Sequence, residues 1–451
     1  MNAWRRGWSV LIVGLIVGCS SLSWALTNEE VFSQFQFNFI TPGARATALG
    51  GAFIGLADDA TAVESNPAGL TKLGALEVSA EFKYFEYITN QFFDNEAISG
   101  EIRRKEFEDS VASLPFISVV YPYSGRDRTF VFSAYRQELI NYKTSFRTGP
   151  DPLSVPGSEF AFFPVEASAD LNVTNYGIGV AMEILQGTLS IAVSPRWSTM
   201  SLDSRSTRFD GDLTNEFTDP TSFSTDEIVN ETCIDDEDNG FSVNAGVMWE
   251  PDSRISLGLV YRGGIEFNVT ERPGREGFAV LDPTAAGDYD SDLAEFTLNI
   301  PDTFGAGVAF RAVDTDRHSL LFTMDVIHIR YEDLLEDFDI LLGETYLDED
   351  DYTVENVTEM HVGMEYEFKY PEQAPLRSLF LRAGIYSEPD HTIRYTADDI
   401  DEKQRFPGGE EQIHYTGGVG LVINEHIQID TAANIADNNT QFSVSAVYRF
   451  Y

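Results

Sequence analysis

The stretch Gln441-Phe442-Ser443-Val444-Ser445-Ala446-Val447-Tyr448-Arg449-Phe450-Tyr451 alternates in polarity without interruption. Phe442, Val444, Ala446, Tyr448 and Phe450 share one face, while Ser443, Ser445, Val447, Arg449 and Tyr451 share the other. Successive side chains of a β-strand point to opposite faces, so the pattern reads as a strand between an apolar medium and a polar one. Leu76 to Tyr84 repeats it: Leu76, Val78, Ala80, Phe82 and Tyr84 oppose Glu77, Ser79, Glu81 and Lys83. A soluble sandwich can show the same period. The number of such segments and the way they end decide between the two.

Further segments fall at Phe116 to Tyr123, Arg128 to Tyr142, Ala167 to Ile184, Thr188 to Leu202, Phe241 to Trp249 and Arg254 to Val269. Phe296 to Ile300 runs into Thr303 to Ala312. Ser319 to Tyr331, Glu355 to Phe368, Leu379 to Ile385, Ile413 to Ile423 and Ile427 to Asn434 follow, and the terminal stretch is last. That makes about fourteen, an even number of the kind that closes antiparallel barrels in membranes. Connections alternate in length. Gly125, Gln186-Gly187, Pro251-Asp252 and Asn424-Glu425 look like tight turns. Arg208 to Gly240, Glu271 to Ala294, Glu332 to Val354 and Ser387 to Gln412 look like long loops, as on the outer rim of a barrel. An aromatic last residue, Tyr451, resembles the signal read by barrel-assembly machinery, an expected partner.

The first 25 residues read as a secretory signal, with Arg5 and Arg6 before an apolar run from Trp8 to Gly18 and a small-x-small site at Ser23-Trp24-Ala25. Cleavage after Ala25 is expected. Ile16-Val17-Gly18-Cys19 also fits a lipobox, which would instead leave Cys19 lipidated. The apolar run is too short for a membrane helix. The chain has 33 Phe, 19 Tyr and 35 Gly, which suits strands and turns. A net charge of −43 excludes nucleic acid as a partner, since phosphates demand Lys and Arg. The same charge keeps exposed loops solvated and apart.

Chemistry of the catalytic kind finds little footing. Cys233 sits beside Asp235, Asp236, Glu237 and Asp238, a poor setting for a nucleophile, and with Cys19 removed it has no disulfide partner. The histidines (His318, His328, His361, His391, His414 and His426) show no helical metal-ligand spacing, and neither a phosphate-binding loop nor a nucleophile elbow is present. Asp235 to Asn239 and Asp288 to Asp292 are acidic, yet neither holds a complete calcium-ligand series. The expectation is a non-enzyme without cofactor or metal.

Between the signal and the first strand lies a segment that does not alternate. It contains Thr41-Pro42-Gly43-Ala44-Arg45-Ala46-Thr47-Ala48-Leu49-Gly50-Gly51-Ala52-Phe53, then Ala57-Asp58-Asp59-Ala60, then Asn66-Pro67-Ala68-Gly69-Leu70. Small residues permit close packing. Ala57 to Glu64 is predicted to form a short helix capped by Asp58 or Asp59 and broken at Asn66-Pro67. Compact and rich in Gly and Ala, the piece has the composition of something folded inside a lumen.

These blocks, together with Ile300-Pro301-Asp302-Thr303-Phe304, Gly307, Leu381-Arg382-Ala383-Gly384 and Gly417-Gly418-Val419-Gly420, resemble the FadL-type (OmpP1/FadL/TodX) outer-membrane transporters of hydrophobic compounds. The resemblance implies an all-β, fourteen-stranded outer-membrane barrel, with residues 1–25 as signal, 26–75 as an N-terminal hatch and 76–451 as barrel. It implies a hydrophobic ligand, such as a fatty acid or hydrocarbon, taken from outside and released sideways into the membrane. Outer-membrane lipid and lipopolysaccharide would surround the wall. Asn66, Pro67, Ala68 and Gly69 would anchor or gate the hatch, and Arg45 is expected to pair with Asp58 or Asp59, because an unpaired buried charge is costly. Phe32, Phe35, Phe37, Phe39 and Phe53 are candidates to touch ligand or to pack hatch against wall. Phe32 to Phe39 is more aromatic than the family pattern, and the Pro42 to Gly51 wording is closer to related secretion-associated barrels. A partner-binding barrel, serving as shuttle or anchor, is therefore the alternative.

Overall fold

The computed structural model describes residue 39 and residues 41–94, 103–125, 128–147, 165–209, 228–276, 294–336, 351–398, 406 and 408–451. The expected signal, Phe32, Phe35, Phe37 and the Asp288 to Asp292 run lie outside the described residues.

Strands in the first half are β1 Leu76–Asp94, β2 Arg103–Ser124, β3 Thr129–Arg147, β4 Val165–Leu185, β5 Leu189–Phe209, β6 Ile228–Asp252, β7 Ile255–Arg262, β8 Ile265–Glu276 and β9 Ala294–Ile300. The second half holds β10 Thr303–Asp314, β11 His318–Ile329, β12 Tyr352–Thr353, β13 Val357–Lys369, β14 Leu376–Glu388, β15 Arg394–Tyr395, β16 Gln412–Ile423, β17 Ile427–Ile435 and β18 Asn439–Phe450. β12 and β15 pair only with each other. All other pairings are antiparallel between wall neighbours, and β18 returns to β1, from Leu76↔Phe450 to Tyr87↔Asn439. β7 continues into β8 across Gly263-Gly264, and β9 into β10 across Pro301-Asp302. Counting each as one stave, the wall is a closed barrel of 14 strands.

Closure leaves the wall without the open edge that lipid could not satisfy. The expected tight turns lie on one side of the barrel. Asn424 (φ 55°) and Glu425 (φ 69°) both adopt the left-handed conformation that matches the twist of a two-residue hairpin.

The alternation has a second level. Along β4 the outward positions Tyr176, Ile178, Val180 and Met182 are apolar, but above them come Ser168, Asp170 and Asn172. The inward positions do the reverse: Asn175, Gly177 and Gly179 give way to Leu171 and Val173, both buried. β5 turns over in the same way, from Val193 and Trp197 outward to Ser201 and Asp203. The wall is therefore apolar outside at membrane depth and apolar inside where it rises into water. Exposed Tyr176, Trp197, Phe241 and Phe442 mark the upper edge of the apolar band, and Tyr121, Tyr123, Trp249 and Phe450 the lower.

This inversion corrects two expectations. The stretch from Arg208 to Gly240 is not all loop, because β6 begins at Ile228 and pairs with β5 up to Phe209↔Ile228. Likewise Glu271 to Glu276 belongs to β8. Above the band the outward positions are acidic, so the lipid-facing alternation is lost although the ladder continues. Asp235 to Asn239 lies on this paired strand, where alternate carboxylates point to opposite faces and do not converge as a calcium loop would.

Residues 41–75 lie within the barrel. The helix Ala44–Ala48 packs on β14, β16, β17 and β18, while the 3₁₀ turn Pro67–Lys72 packs on β3 to β6. Ala44, Ala46, Ala48, Ala57, Ala60, Ala62 and Ala68 are fully enclosed. The helix predicted over Ala57 to Glu64 is only Ala62–Ser65, with Thr61 at its N-cap and no side-chain cap. Ala57 has φ 30°, which breaks any helix there.

Candidate functional site

The inner segment is held by ionic and polar contacts at positions facing inward on the wall. Arg45 reaches Glu365 of β13 through Nε at 2.9 Å and Nη2 at 3.0 Å, and Asp58 through Nη1 at 2.6 Å. Of the two aspartates expected beside Arg45, the ion pair falls to Asp58. Asp59 instead accepts from the Thr61 N–H at 2.9 Å and its hydroxyl at 2.5 Å. Arg382 of β14 donates to Glu365 at 2.7 Å and to Asp430 of β17 at 2.6 Å. The row runs on through Gln428 and Arg449 to Glu77 of β1. One buried carboxylate between two guanidiniums meets the need of each for a partner.

Asn66 does the equivalent work with neutral groups. Its Nδ2 donates to the Ile54 and Val247 carbonyls, each at 3.1 Å, and its Oδ1 accepts from the Ala68 N–H at 3.2 Å. Pro67 opens the 3₁₀ turn, where no N–H is needed. A Cβ on Gly69 would stand 2.0 Å from the Ala57 carbonyl oxygen, so the tight fold of the segment demands glycine there. Asn66, Pro67, Ala68 and Gly69 thus form one knot, fully buried against β6 and β7.

Several anchors were not singled out from sequence. Asp325 of β11 accepts from the Ile54 N–H at 2.6 Å, His361 of β13 contacts the Gly50 carbonyl at 2.6 Å, and Thr416 of β16 donates to the Ala48 carbonyl at 3.1 Å. Arg262 of β7 donates to the Glu64 and Ser65 carbonyls, both at 3.0 Å, and Arg196 of β5 pairs with the Glu64 carboxylate at 3.5 Å. Their signal is a polar residue at an inward position of a strand that is apolar outside.

Above the segment lies a cavity of about 160 Å³. That is many times the roughly 10–15 Å³ one water needs, so it can hold a small molecule. Its lower lining is polar and includes Glu64, Lys83, Gln137, Arg196 and Arg262. One side is a stack, with Tyr386 between His361 (4.9 Å) and His414 (4.2 Å). The upper lining is apolar, with Phe39, Ile54, Leu139, Ile300, Ile327 and Ile329 leading into a cluster of buried side chains from β3 to β11. Phe39 stacks on Tyr331 at 6.2 Å. Phe53 does not reach the cavity. It is buried under the Arg45 guanidinium, 5.7 Å from its ring centre.

The wall beside this cavity has a seam. β2 and β3 pair from Ser124↔Thr129 up to Phe116↔Gln137 and no further, although both strands continue. Pro115 and a bulge at Leu139 mark the point of separation. Side chains alone cross the seam above it. Arg136 donates to the Leu114 carbonyl at 2.8 Å, and Asp109 accepts from Thr144 at 3.1 Å and the Ser145 N–H at 3.3 Å. Gln137 and Leu139, at the seam's lower corner, also line the cavity.

Comparison with known proteins agrees with this architecture. The chain superposes on a Pseudomonas aeruginosa FadL homologue with a TM-score of 0.60 and 14% identity, covering 92% of this chain and 100% of that one. It superposes on the Ralstonia pickettii toluene transporter TbuX with a TM-score of 0.56 and 14% identity, and on the P. putida toluene transporter TodX with 0.53 and 13%, again covering 92% of this chain and 100% of each. At such identities the likeness shows the fold. No curated protein matches the chain. The family described as "Outer membrane protein transport protein (OMPP1/FadL/TodX)" matches residues 26–445. This chain belongs to that family of outer-membrane transporters of hydrophobic compounds.

Proposed function

We propose that the barrel is a passive importer, without enzymatic activity, in which a hydrophobic compound rests above residues 41–75 and leaves sideways between β2 and β3. The observation that carries this reading is the meeting of cavity and seam at Gln137 and Leu139, while the closely packed inner segment fills the axial route. In this reading residues 26–75 are the hatch and the Asn66 to Gly69 knot fixes it. The driving force is desolvation, about 25 cal/mol per Å² of apolar ligand surface removed from water. Phe39 and the isoleucines of the upper lining supply that surface.

Uptake of labelled long-chain fatty acids and aromatic hydrocarbons by cells with and without the gene tests the reading. Loss of uptake on deletion, and again when Asn66 and Pro67 are both replaced, is expected. Unchanged uptake of every compound, with a stoichiometric protein partner co-purifying, would point to the partner-binding alternative. Steady ion conductance in planar bilayers would identify an open pore instead.

A further inference from the structure

The wall has a second interruption that the β2/β3 exit does not use. β6 and β7 pair up to Asn244↔Arg262, and β6 meets β8 again only at Ile234↔Glu271. Between these points no backbone ladder joins β6 to β8. Two carboxylates from β6 stand in for it: Asp238 accepts from the Asn268 N–H at 2.7 Å, and Asp236 from the Thr270 N–H at 2.8 Å.

The far side of β8 shows why this span can move as a unit. β8 pairs with β9 from Ile265↔Ile300 to Glu271↔Ala294, and β9 has no strand partner beyond β8 among the described residues. The hairpin's two feet are the breaks Gly263-Gly264 and Pro301-Asp302, which lie side by side. Asp302 accepts from the Gly264 N–H at 2.6 Å and the Tyr261 hydroxyl at 3.1 Å. A glycine pair and a proline at adjacent feet are a hinge across which both strands lose their ladder together. Behind the hairpin stand Ile265, Phe267 and Val269 with Phe296, Leu298 and Ile300, all buried in the apolar cluster above the cavity. The closing contact on β6 is Gly240, where a Cβ would come within 2.4 Å of the Ile265 side chain.

From these placements we propose that the β8–β9 hairpin is a hinged flap, latched to β6 by Asp236 and Asp238, and that the β6/β8 seam is the entrance by which small apolar compounds reach the lumen. The seam begins beside Phe241, at the upper edge of the apolar band, and so opens on the cell-surface side. Carboxylate acceptors exchange with water more readily than a continuous ladder, which lets the flap open without exposing unpaired strand edges to lipid. The proposal rests on the importer reading for its cargo, while the flap itself can be tested apart from transport.

The test stitches the seam. In a Cys233→Ser background, Asp238→Cys and Asn268→Cys are joined by a short bismaleimide, and uptake of a fluorescent naphthylamine into proteoliposomes is followed. A several-fold loss on joining, with each single cysteine variant still active, is expected. Full uptake at complete joining, verified by mass spectrometry, would overturn the entrance. The second arm needs no uptake: Phe267→Cys, again with Cys233→Ser, is labelled by a water-soluble maleimide. Labelling several-fold faster when Asp236 and Asp238 are both alanine is expected, and an unchanged rate would overturn the latch. If the unaltered protein carries no probe while the labelling still responds, the importer reading and the entrance fall and the flap alone stands.

Discussion

Single side chains decide how firmly the inner segment is held, and Glu365 is the clearest case. Its carboxylate lies between Arg45 and Arg382, both nearly inaccessible to water. Glu365→Gln leaves both guanidiniums short of charge and is expected to cost about 3 kcal/mol, since breaking a buried pair strands its partner. The melting temperature in detergent should fall clearly. Arg45→Met should cost less, because Glu365 keeps Arg382, and the double variant should cost less than the sum. Strict additivity would mean that the row does not act as a unit. Asn66 makes a parallel case: Asn66→Ala unsatisfies the Ile54 and Val247 carbonyls and is expected to cost about 1–3 kcal/mol. Gly258→Ala attacks the same spot from the wall, since its Cβ would stand 2.2 Å from the Ile54 carbonyl oxygen. Hydrogen exchange at Ile54 and Ala68 should rise in both variants. Of these residues Arg45 and Asn66 were legible in the sequence, because they interrupt a run of small residues. Glu365, Arg382 and Asp325 were not, since an inward polar residue on one strand looks like any lumen-facing one until the register brings three strands together.

Elements were legible where they cross lipid and obscure where they leave it. The terminal strand and β1 were read correctly because water and lipid impose opposite polarity on their two faces. β6 was read too short because above the band the same strand turns its acidic positions outward. The outer cap between β14 and β16 was read only as a long loop, yet it has internal order. Tyr352 and Tyr395 pair across β12 and β15 and pack on Phe406. Asp390 is the pivot, accepting from the Thr392 N–H at 3.0 Å, from its hydroxyl at 2.7 Å, and from Arg394. Burial pushes the Asp390 carboxyl up, but the bonds from Thr392, Arg394 and the Gly409 backbone outweigh it and hold it below the usual aspartate range. A carboxylate with a depressed folded-state value stabilises the cap fully above its unfolded value, and this is lost as pH falls through the folded one. Amide protection of Thr392 and Tyr395 should therefore be flat from neutral pH down to the ordinary aspartate range, then drop in stronger acid. In Asp390→Asn the acid step should vanish and protection be lower throughout. A step that persists in that variant would assign the transition to another group.

At the scale of the whole molecule the barrel divides its surface between two solvents, and the division can be tested on one strand. Val193 and Asp203 lie on the same outward face of β5, both exposed, on opposite sides of Trp197 and the turnover of polarity. Trp197 donates from Nε1 to Asn239 at 3.1 Å, as a ring does when one end meets lipid and the other water. Chemistry that ignored the membrane would treat an arginine at either position alike, since neither site is buried in protein. With lipid below the tryptophan and water above it, Val193→Arg should cost about 2–4 kcal/mol and Asp203→Arg close to nothing. The readout is the denaturant midpoint for reversible folding into lipid vesicles, with the unaltered chain alongside. The result also bears on the flap, because the β6 latch carboxylates lie on the water side of the same boundary, near Asn239. A large penalty for Asp203→Arg would raise the upper edge of the lipid past the β6/β8 seam, and that opening would then face acyl chains rather than the cell surface.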